Sequence, residues 1–390
     1  ATSSRSRNRA PEHRLPHMIA CERSPALPRG FSREARFYLR PTALVAGAAA
    51  EAALAQATGR RLADGRFVFT SCEVLLRERG RLAATLAPAA EVAAWAETLE
   101  PPAAGRVATL LTRLSAPRAP IVGVPMDRPA IMGVINVTPD SFSDGGDCAE
   151  ADVAIAHGRA LAAAGAAFLD VGGESTRPGC DPVTPEMELA RALPVVRGLA
   201  GSGVPVSIDS RRAAVMSAAL DAGARIVNDV TALTFDPASL DVVAAAGAPV
   251  VLMHSLGDPK TMQVDPVYDC APLDIYDYLE ERVEACIAAG VGRERIVVDP
   301  GIGFGKSALG HNIEILQNLT LYHGLGCALL LGVSRKSFIG RIAGVEAPKD
   351  RLPGSLASGL AGLDQGVQIL RVHDVAETAQ ALAVWEALTG

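Results

Sequence analysis

From about residue 129 onward, hydrophobic and polar positions follow a regular rhythm. Short apolar runs rich in Val and Ile recur, each ending in polar residues and each followed by a stretch with helical spacing. The runs cover 130–136, 167–172, 204–209, 225–229, 248–254, 295–299, 328–334 and 367–373. The helical stretches cover 152–164, 185–200, 211–222, 237–246, 273–289, 312–322, 353–366 and 375–388. Continuous apolar runs of this length suit strands buried on both faces. Gly165, Gly223, Gly247 and Gly290 stand where left-handed C-caps would close four of the helices. Eight strand-then-helix units over about 260 residues predict an α/β fold, a closed (β/α)8 TIM barrel spanning 126–390. A doubly wound open sheet, the alternative, rarely repeats so regularly.

The first third lacks this rhythm. Residues 31–125 carry helical and strand-like stretches at 42–58 and 66–75 and an Ala-rich helical pattern at 89–99. Pro101, Pro102, Pro117, Pro120 and Pro125 then punctuate what reads as a linker. No chemical constellation stands out there, so the region is expected to be a small α/β accessory layer or oligomerisation element. Residues 1–30 read as a disordered tail, with Arg5, Arg7, Arg9 and Arg14 among Ser, Asn and Pro. A transit peptide and a segment upstream of a start at Met18 both fit that composition, and neither reading assigns the tail a function.

Composition narrows the class. Of 390 residues, 49% are hydrophobic and 21% charged, enough for a sizeable core and against global disorder. Aromatics are only 4%, which suits Ala, Val, Leu and Ile cores of parallel strands wrapped by helices. A net charge of −6 argues against a nucleic-acid binder. Seven scattered cysteines without a CxxC pair read as free thiols in a reducing, cytoplasmic setting. No apolar run reaches membrane-spanning length; the best, 42–58, is broken by Glu51.

In a parallel barrel, strand C-termini and the loops after them share one cleft. Those positions hold Asn136, Asp170, Asp209, Asn228, Met253, His254, Asp299, Ser334, Arg335, Lys336, Arg371 and His373. Helix capping accounts for some acids, Ser210 and Asp229 among the candidates, but not for Lys336 or Arg371. Asp170, Asp209, Asn228 and Asp299 form an acceptor-rich wall suited to a heterocycle with a guanidine-like edge. Lys336, Arg371, His373 and Arg177 form an opposite wall suited to phosphate and are the candidate catalytic residues. Lys336 falls where the helix after the seventh strand begins, which further favours an anion. The residues therefore suggest a guanidine-bearing heterocycle with a phosphate group.

Two loops, 136–146 and 172–179, mix Gly, Ser, Thr and Pro with charges as active-site lids do, and carry Phe142 and Arg177. Their Asp140, Asp144 and Asp147 read as solvated lid charges rather than metal ligands. Glu174 reads as a loop-organising acceptor, Asp374 as a cap, His254 as structural, and His157, His311 and His323 as surface residues.

The stretches Gly133-Val-Ile-Asn-Val-Thr-Pro-Asp-Ser-Phe-Ser-Asp-Gly and Asp170-Val-Gly-Gly-Glu-Ser-Thr-Arg-Pro-Gly resemble the two signatures of the dihydropteroate synthase family. Ser207-Ile-Asp-Ser, Ile226-Val-Asn-Asp, Met253-His, Asp299-Pro-Gly-Ile-Gly-Phe-Gly-Lys, Ser334-Arg-Lys-Ser and Arg371-Val-His-Asp extend the likeness from about Pro129 to the C-terminus. The resemblance implies a folate-biosynthesis transferase and sulfonamide target. It would join 6-hydroxymethyl-7,8-dihydropterin diphosphate to 4-aminobenzoate, giving 7,8-dihydropteroate and pyrophosphate. It further implies that Asp209, Asn228, Asp299 and Lys336 hold the pterin, with Asp170 nearby and Met253 on the ring. Asn136 would meet Mg2+ and the diphosphate, which Arg371, His373 and Thr176 would also meet, with Val372 counted among the binding residues. Phe142, Pro178, Phe304 and Ser337 would frame the aminobenzoate. The family also implies a homodimer. Loss of pyrophosphate would be dissociative, leaving a methylene cation conjugated with the ring, so no catalytic triad is expected.

The sequence admits two other readings. A methyltransferase-type pterin barrel would share the pterin wall but has no use for the Ser-Thr-Arg-Pro-Gly loop or a diphosphate site. A catalytically silent paralogue would have lost loop residues first, yet Asn136, Phe142, Thr176, Arg177, Lys336, Arg371 and His373 all remain.

Overall fold

The computed structural model describes residues 22–24, 26–137, 147–174, 183–257 and 261–389. Strands β1 (Glu22–Arg23), β2 (Arg36–Val45), β3 (Arg60–Arg61), β4 (Val68–Glu78) and β5 (Arg81–Pro88) come first in the chain, with helices α1 (Gly47–Ala55), α2 (Ala89–Glu97) and α3 (Ala103–Ser115). β2, β4 and β5 pair antiparallel, β1 adds parallel to the outer edge of β5, and β3 pairs with β4.

Two details of this layer differ from the sequence expectation. The 42–58 stretch is divided between the end of β2 and α1. The proline-punctuated stretch is no bare linker, because it contains α3, whose Val107, Leu110, Leu111 and Leu114 are buried. Their i, i+3, i+4, i+7 spacing is a one-faced helix stripe, and the prolines bracket it without interrupting it.

Eight parallel strands then close a barrel in chain order. They are β6 (Ala130–Asn136), β7 (Phe168–Gly172), β8 (Val206–Asp209), β9 (Ile226–Asp229), β10 (Val250–Met253), β11 (Ile296–Asp299), β12 (Ala328–Leu331) and β13 (Ile369–Val372), which pairs back with β6. The outer ring is α4 (Asp147–Ala163), α5 (Pro185–Leu199), α6 (Ala213–Asp221), α7 (Ser239–Ala246), α8 (Ala271–Ala288), α9 (His311–Gln317), α10 (Ser337–Ala343), α11 (Leu352–Leu363) and α12 (Val375–Thr389). Gly247 closes α7 at φ 61°, the left-handed C-cap its position predicts. The barrel floor is apolar: Met132, Phe168, Ile226, Val251 and Leu330 pack together, with Ile121 and Met126 sealing them from below. The rim at the strand C-termini is polar.

The N-terminal layer lies against α8, α12 and the 3-10 turn Leu319–Leu325. Tyr38 meets Tyr276 edge-on with ring centroids 5.5 Å apart. Glu280 of α8 accepts from Arg36 at 2.7 Å, Arg106 at 2.6 Å and Arg113 at 3.3 Å. This contact corrects one expectation. His323 is not a surface residue but fully buried, its Nε2 3.0 Å from the Gln365 carbonyl and its own carbonyl accepting from Arg118. Burial pushes its imidazole down to about 3, with Arg118 adding to the shift, so the ring is neutral.

Candidate functional site

Strand register places the polar residues on one rim. Gly172 is paired with Asp209, Asp209 with Asn228, and Met253 with Asp299, each at or next to the end of its strand. Asp170 is fully buried, and its Oδ2 accepts from Asn228 Nδ2 at 2.9 Å and from Arg371 Nε at 2.6 Å. Arg371 Nη2 reaches Asp209 Oδ2 at 2.7 Å. One guanidinium thus bridges two carboxylates of the acceptor wall. The Asp170 Oδ1 atom is buried with no hydrogen-bond partner among the described residues. A buried acceptor in that state is costly unless a ligand supplies the donor.

Burial is the first cause of the electrostatics here. It raises the Asp209 carboxyl, against the pull of Arg371 and with Asp170 adding its own repulsion. Asp299 is likewise raised by burial, which Lys336 and the Gly301 N–H oppose. Lys336 is lowered to about 8 by burial, with Asp299 opposing and Arg371 assisting. Lys336, Asp299 and Arg371 meet around Gly332. A β-carbon there would lie 3.7 Å from Lys336 Nζ, 4.0 Å from Arg371 Cβ and 4.0 Å from Asp299 Oδ2, so a larger residue would crowd the site.

The loop after β11 forms the other side. Asp299 Oδ1 accepts from the Gly301 N–H at 2.7 Å. Gly301 has φ 71°, and a β-carbon would sit 1.9 Å from the His254 carbonyl, so only glycine fits. Lys336 Nζ donates to the Ile302 carbonyl and lies 4.8 Å from the centroid of the Phe304 ring. Ser337 opens α10 with Lys336 at its N-cap.

Several predicted residues take other partners. Arg335 forms a two-point pair with Asp374, Nε to Oδ2 at 2.9 Å with Nη2 on Oδ1, while Asp374 keeps the position before α12 expected of a cap, its carbonyl accepting from the Thr378 N–H at 3.0 Å. Val372 turns its side chain away. It alternates to the opposite face of β13 from Arg371 and packs in the core between barrel and helices, so its side chain does not line the mouth. His373 Nδ1 lies 3.0 Å from Ser334 Oγ. Asp229 receives Thr231 N–H and Oγ1 and Leu233 N–H, the turn-capping job allowed for it. Asn136 ends β6 half-buried, and Met253 is buried at the end of β10. Phe142, Thr176, Arg177 and Pro178 lie outside the described residues, as do Asp140, Asp144 and the side chain of Asp147.

Two groups escaped the sequence reading. Lys306, 1% exposed, stands 2.9 Å from His254 Nδ1 and donates to the carbonyls of His254 and Phe304 at 3.2 and 2.9 Å. Burial drives its ammonium well below the usual lysine value. It ended a quoted motif, and that terminal position was its only signal. The second is the pair Arg211 and Arg212 around Glu174, the loop-organising acceptor the sequence suggested, which accepts from Arg211 Nε at 3.1 Å, Arg212 Nη1 at 2.8 Å and the Val183 N–H at 3.3 Å. Burial alone would raise this carboxyl, but the two arginines hold it below the usual range. A cavity of about 290 Å3 opens beside the mouth, with Arg211, Phe235, Tyr278 and Phe304 in its wall.

Among the described residues no group of three His, Cys, Asp or Glu side chains could hold a metal ion.

Comparison with known proteins adds to this geometry. A family model described as pterin binding enzyme matches residues 132–373. The dihydropteroate synthase of Neisseria meningitidis serogroup B is 48% identical over 268 residues, 67% of this chain and 94% of that protein. The crystal structure of Xanthomonas albilineans dihydropteroate synthase with 4-aminobenzoic acid superposes at a TM-score of 0.66 with 45% identity, covering 70% of this chain and 98% of that one. The same enzyme in complex with 7,8-dihydropteroate gives 0.63 and 43%, with the same coverage.

Proposed function

The chain belongs to the pterin-binding enzyme family, and from that premise we infer that its barrel mouth carries out the dihydropteroate synthase reaction. The dihydropterin diphosphate loses pyrophosphate as 4-aminobenzoate adds to the exocyclic methylene carbon, and 7,8-dihydropteroate forms. The carbon–oxygen bond breaks with both electrons leaving on pyrophosphate. The amine lone pair makes the new carbon–nitrogen bond, and the nitrogen then sheds a proton. Aryl amines are neutral near pH 7, so no base has to create the nucleophile.

The observation that carries this reading is the Asp170–Asp209 pair with its guanidinium guest. Two carboxylates that grip the Arg371 guanidinium have the spacing for the guanidine-like edge of a pterin. The unpartnered Asp170 Oδ1 offers one more acceptor. In this reading the pterin displaces Arg371 from Asp209, and the released guanidinium turns to the diphosphate. Asn228 and Asp299 complete the pterin contacts, and Met253 lies under the ring. Lys336 joins them on the pterin, beside Asp299, while Phe304 and Ser337 receive the aminobenzoate. Arg371 and His373 neutralise charge growing on the leaving group, which is electrostatic stabilisation of the transition state. A Mg2+ ion shared by Asn136 and the diphosphate oxygens would add to that neutralisation.

A homodimer and a cytoplasmic location belong to the same reading and are supported by the family likeness alone. Among the described residues no helix is long and apolar enough to cross a membrane.

The test is release of pyrophosphate by the full chain, dependent on both 4-aminobenzoate and the dihydropterin diphosphate. Amine-dependent turnover supports the reading. Release that ignores the amine, or methyl transfer from methyltetrahydrofolate, overturns it.

A further inference from the structure

The N-terminal layer lies outside the matched residues 132–373, yet it reaches the mouth through a chain of direct contacts. Arg77 of β4 donates from Nη2 to Asp274 Oδ1 at 2.6 Å and from Nη1 to Asp277 Oδ2 at 3.3 Å, both in the first two turns of α8. Tyr38 OH adds a bond to Asp277 Oδ2 at 2.8 Å. Asp274 faces both ways, because its Oδ2 accepts from the Cys270 N–H at 3.0 Å and so caps the start of α8. Two residues earlier, Tyr268 OH donates to the Gly305 carbonyl at 2.8 Å. Gly305 stands between Phe304 and Lys306, and a β-carbon there would lie 2.6 Å from the Leu256 carbonyl, so the loop has little room to shift. Phe304 in turn faces Lys336 Nζ.

We propose that Arg77 is a positioning residue: through Asp274 and Tyr268 it holds the Gly301–Lys306 loop in place, and the N-terminal layer thereby tunes how Phe304 receives the aminobenzoate. The substrate named here rests on the condensation reading above. An isolated, partly exposed ion pair contributes little, and a linked series of contacts couples two sites by a few-fold at most. The expected effect is accordingly modest and specific. A second docking contact supplies the control. Arg66, bonded to Thr389 Oγ1 at 2.7 Å and 4.7 Å from the Trp385 ring, ties the same layer to α12 on a route that does not touch the loop.

The experiment compares Arg77→Met, Tyr268→Phe, their double variant and Arg66→Met in the full chain. Two readouts are used: KM for 4-aminobenzoate, and amide hydrogen exchange across residues 301–306. Arg77→Met and Tyr268→Phe should each raise that KM about fivefold. The KM for the dihydropterin diphosphate should change less than twofold, and the double variant should be no worse than the poorer single. Exchange at 301–306 should quicken in both singles and stay as wild type in Arg66→Met. If Arg77→Met does not accumulate, Asp274→Asn, which keeps an acceptor for the Cys270 N–H, should show the same direction. Unchanged exchange and KM in Arg77→Met, additive losses in the double variant, or equal effects from Arg66→Met would each overturn the inference. A wild-type chain without amine-dependent turnover would sink the condensation reading, and the exchange measurement would still decide the coupling.

Discussion

Arginine–carboxylate pairs dominate two regions of this molecule, the barrel mouth and the seam under the N-terminal layer, and they work under opposite conditions. At the mouth, Arg371 lies between Asp170 and Asp209, whose side chains are 0% and 11% exposed. At the seam, Arg36 and Arg113 meet Asp277, Glu280 and Glu284 with side-chain exposures reaching 41% and 49%. Solvent screens the outer seam pairs, and the buried Glu280, 10% exposed, is shared by three arginines, so any one contact can be lost. The mouth pairs are held away from water, so removing one partner leaves a buried charge uncompensated. The same residue types therefore serve docking in one place and ligand exchange in the other, and burial decides which.

The sharpest way to break this comparison is Asp209→Asn. It keeps the shape of the acceptor wall but removes the charge that both Arg371 and a pterin edge use. We expect kcat/KM to fall about 100-fold, as for loss of a buried charged hydrogen bond, with circular dichroism unchanged. Next in size is Arg371→Ala. Titration calorimetry should show binding of the diphosphate substrate weakened about 30-fold, while the free dihydropterin binds as well as before or better, because its place beside Asp209 is vacated. Equal losses for both ligands would contradict the exchange.

A smaller effect comes from pH. Burial lowers Lys336 to about 8, so the ammonium is charged near neutrality and loses its proton as pH rises through that value. Turnover at limiting dihydropterin diphosphate should decline above about pH 8, and Lys336→Arg, which stays charged, should shift that limb upward by more than one pH unit. The smallest effect belongs to the seam. Arg113→Ala removes partly exposed pairs to Glu280 and Glu284, so Tm should fall by no more than about 2 °C with kinetics unchanged.

The barrel was legible because strands buried on both faces must be apolar, and such runs have no reason to end repeatedly in Asp, Asn or Arg unless their ends share a site. β6 covers the residues its run predicted, and the other strands lie inside theirs. The members of the mouth were legible for the same reason. Their pairing was not. Signs of charge divided them into an acceptor wall and a basic wall, yet Arg371 lies within the acceptor wall, because side-chain reach decides partners and a strand pattern does not encode it. Val372 was drawn in by its neighbours although strand alternation sends it to the other face. α3 was hidden by the prolines flanking it, despite a clear apolar stripe. His323 sounded like a surface residue because its burial depends on a layer packed from 200 or so positions away in sequence.

The central claim is that the carboxylate pair that grips Arg371 also takes a pterin edge, the guanidinium then moving to the diphosphate. A crystal structure with a dihydropterin and pyrophosphate tests it directly. The account predicts the pterin amino edge on Asp209 and Asp170, with the Arg371 guanidinium moved onto the pyrophosphate. A pterin bound elsewhere while Arg371 still bridges Asp170 and Asp209 would contradict it.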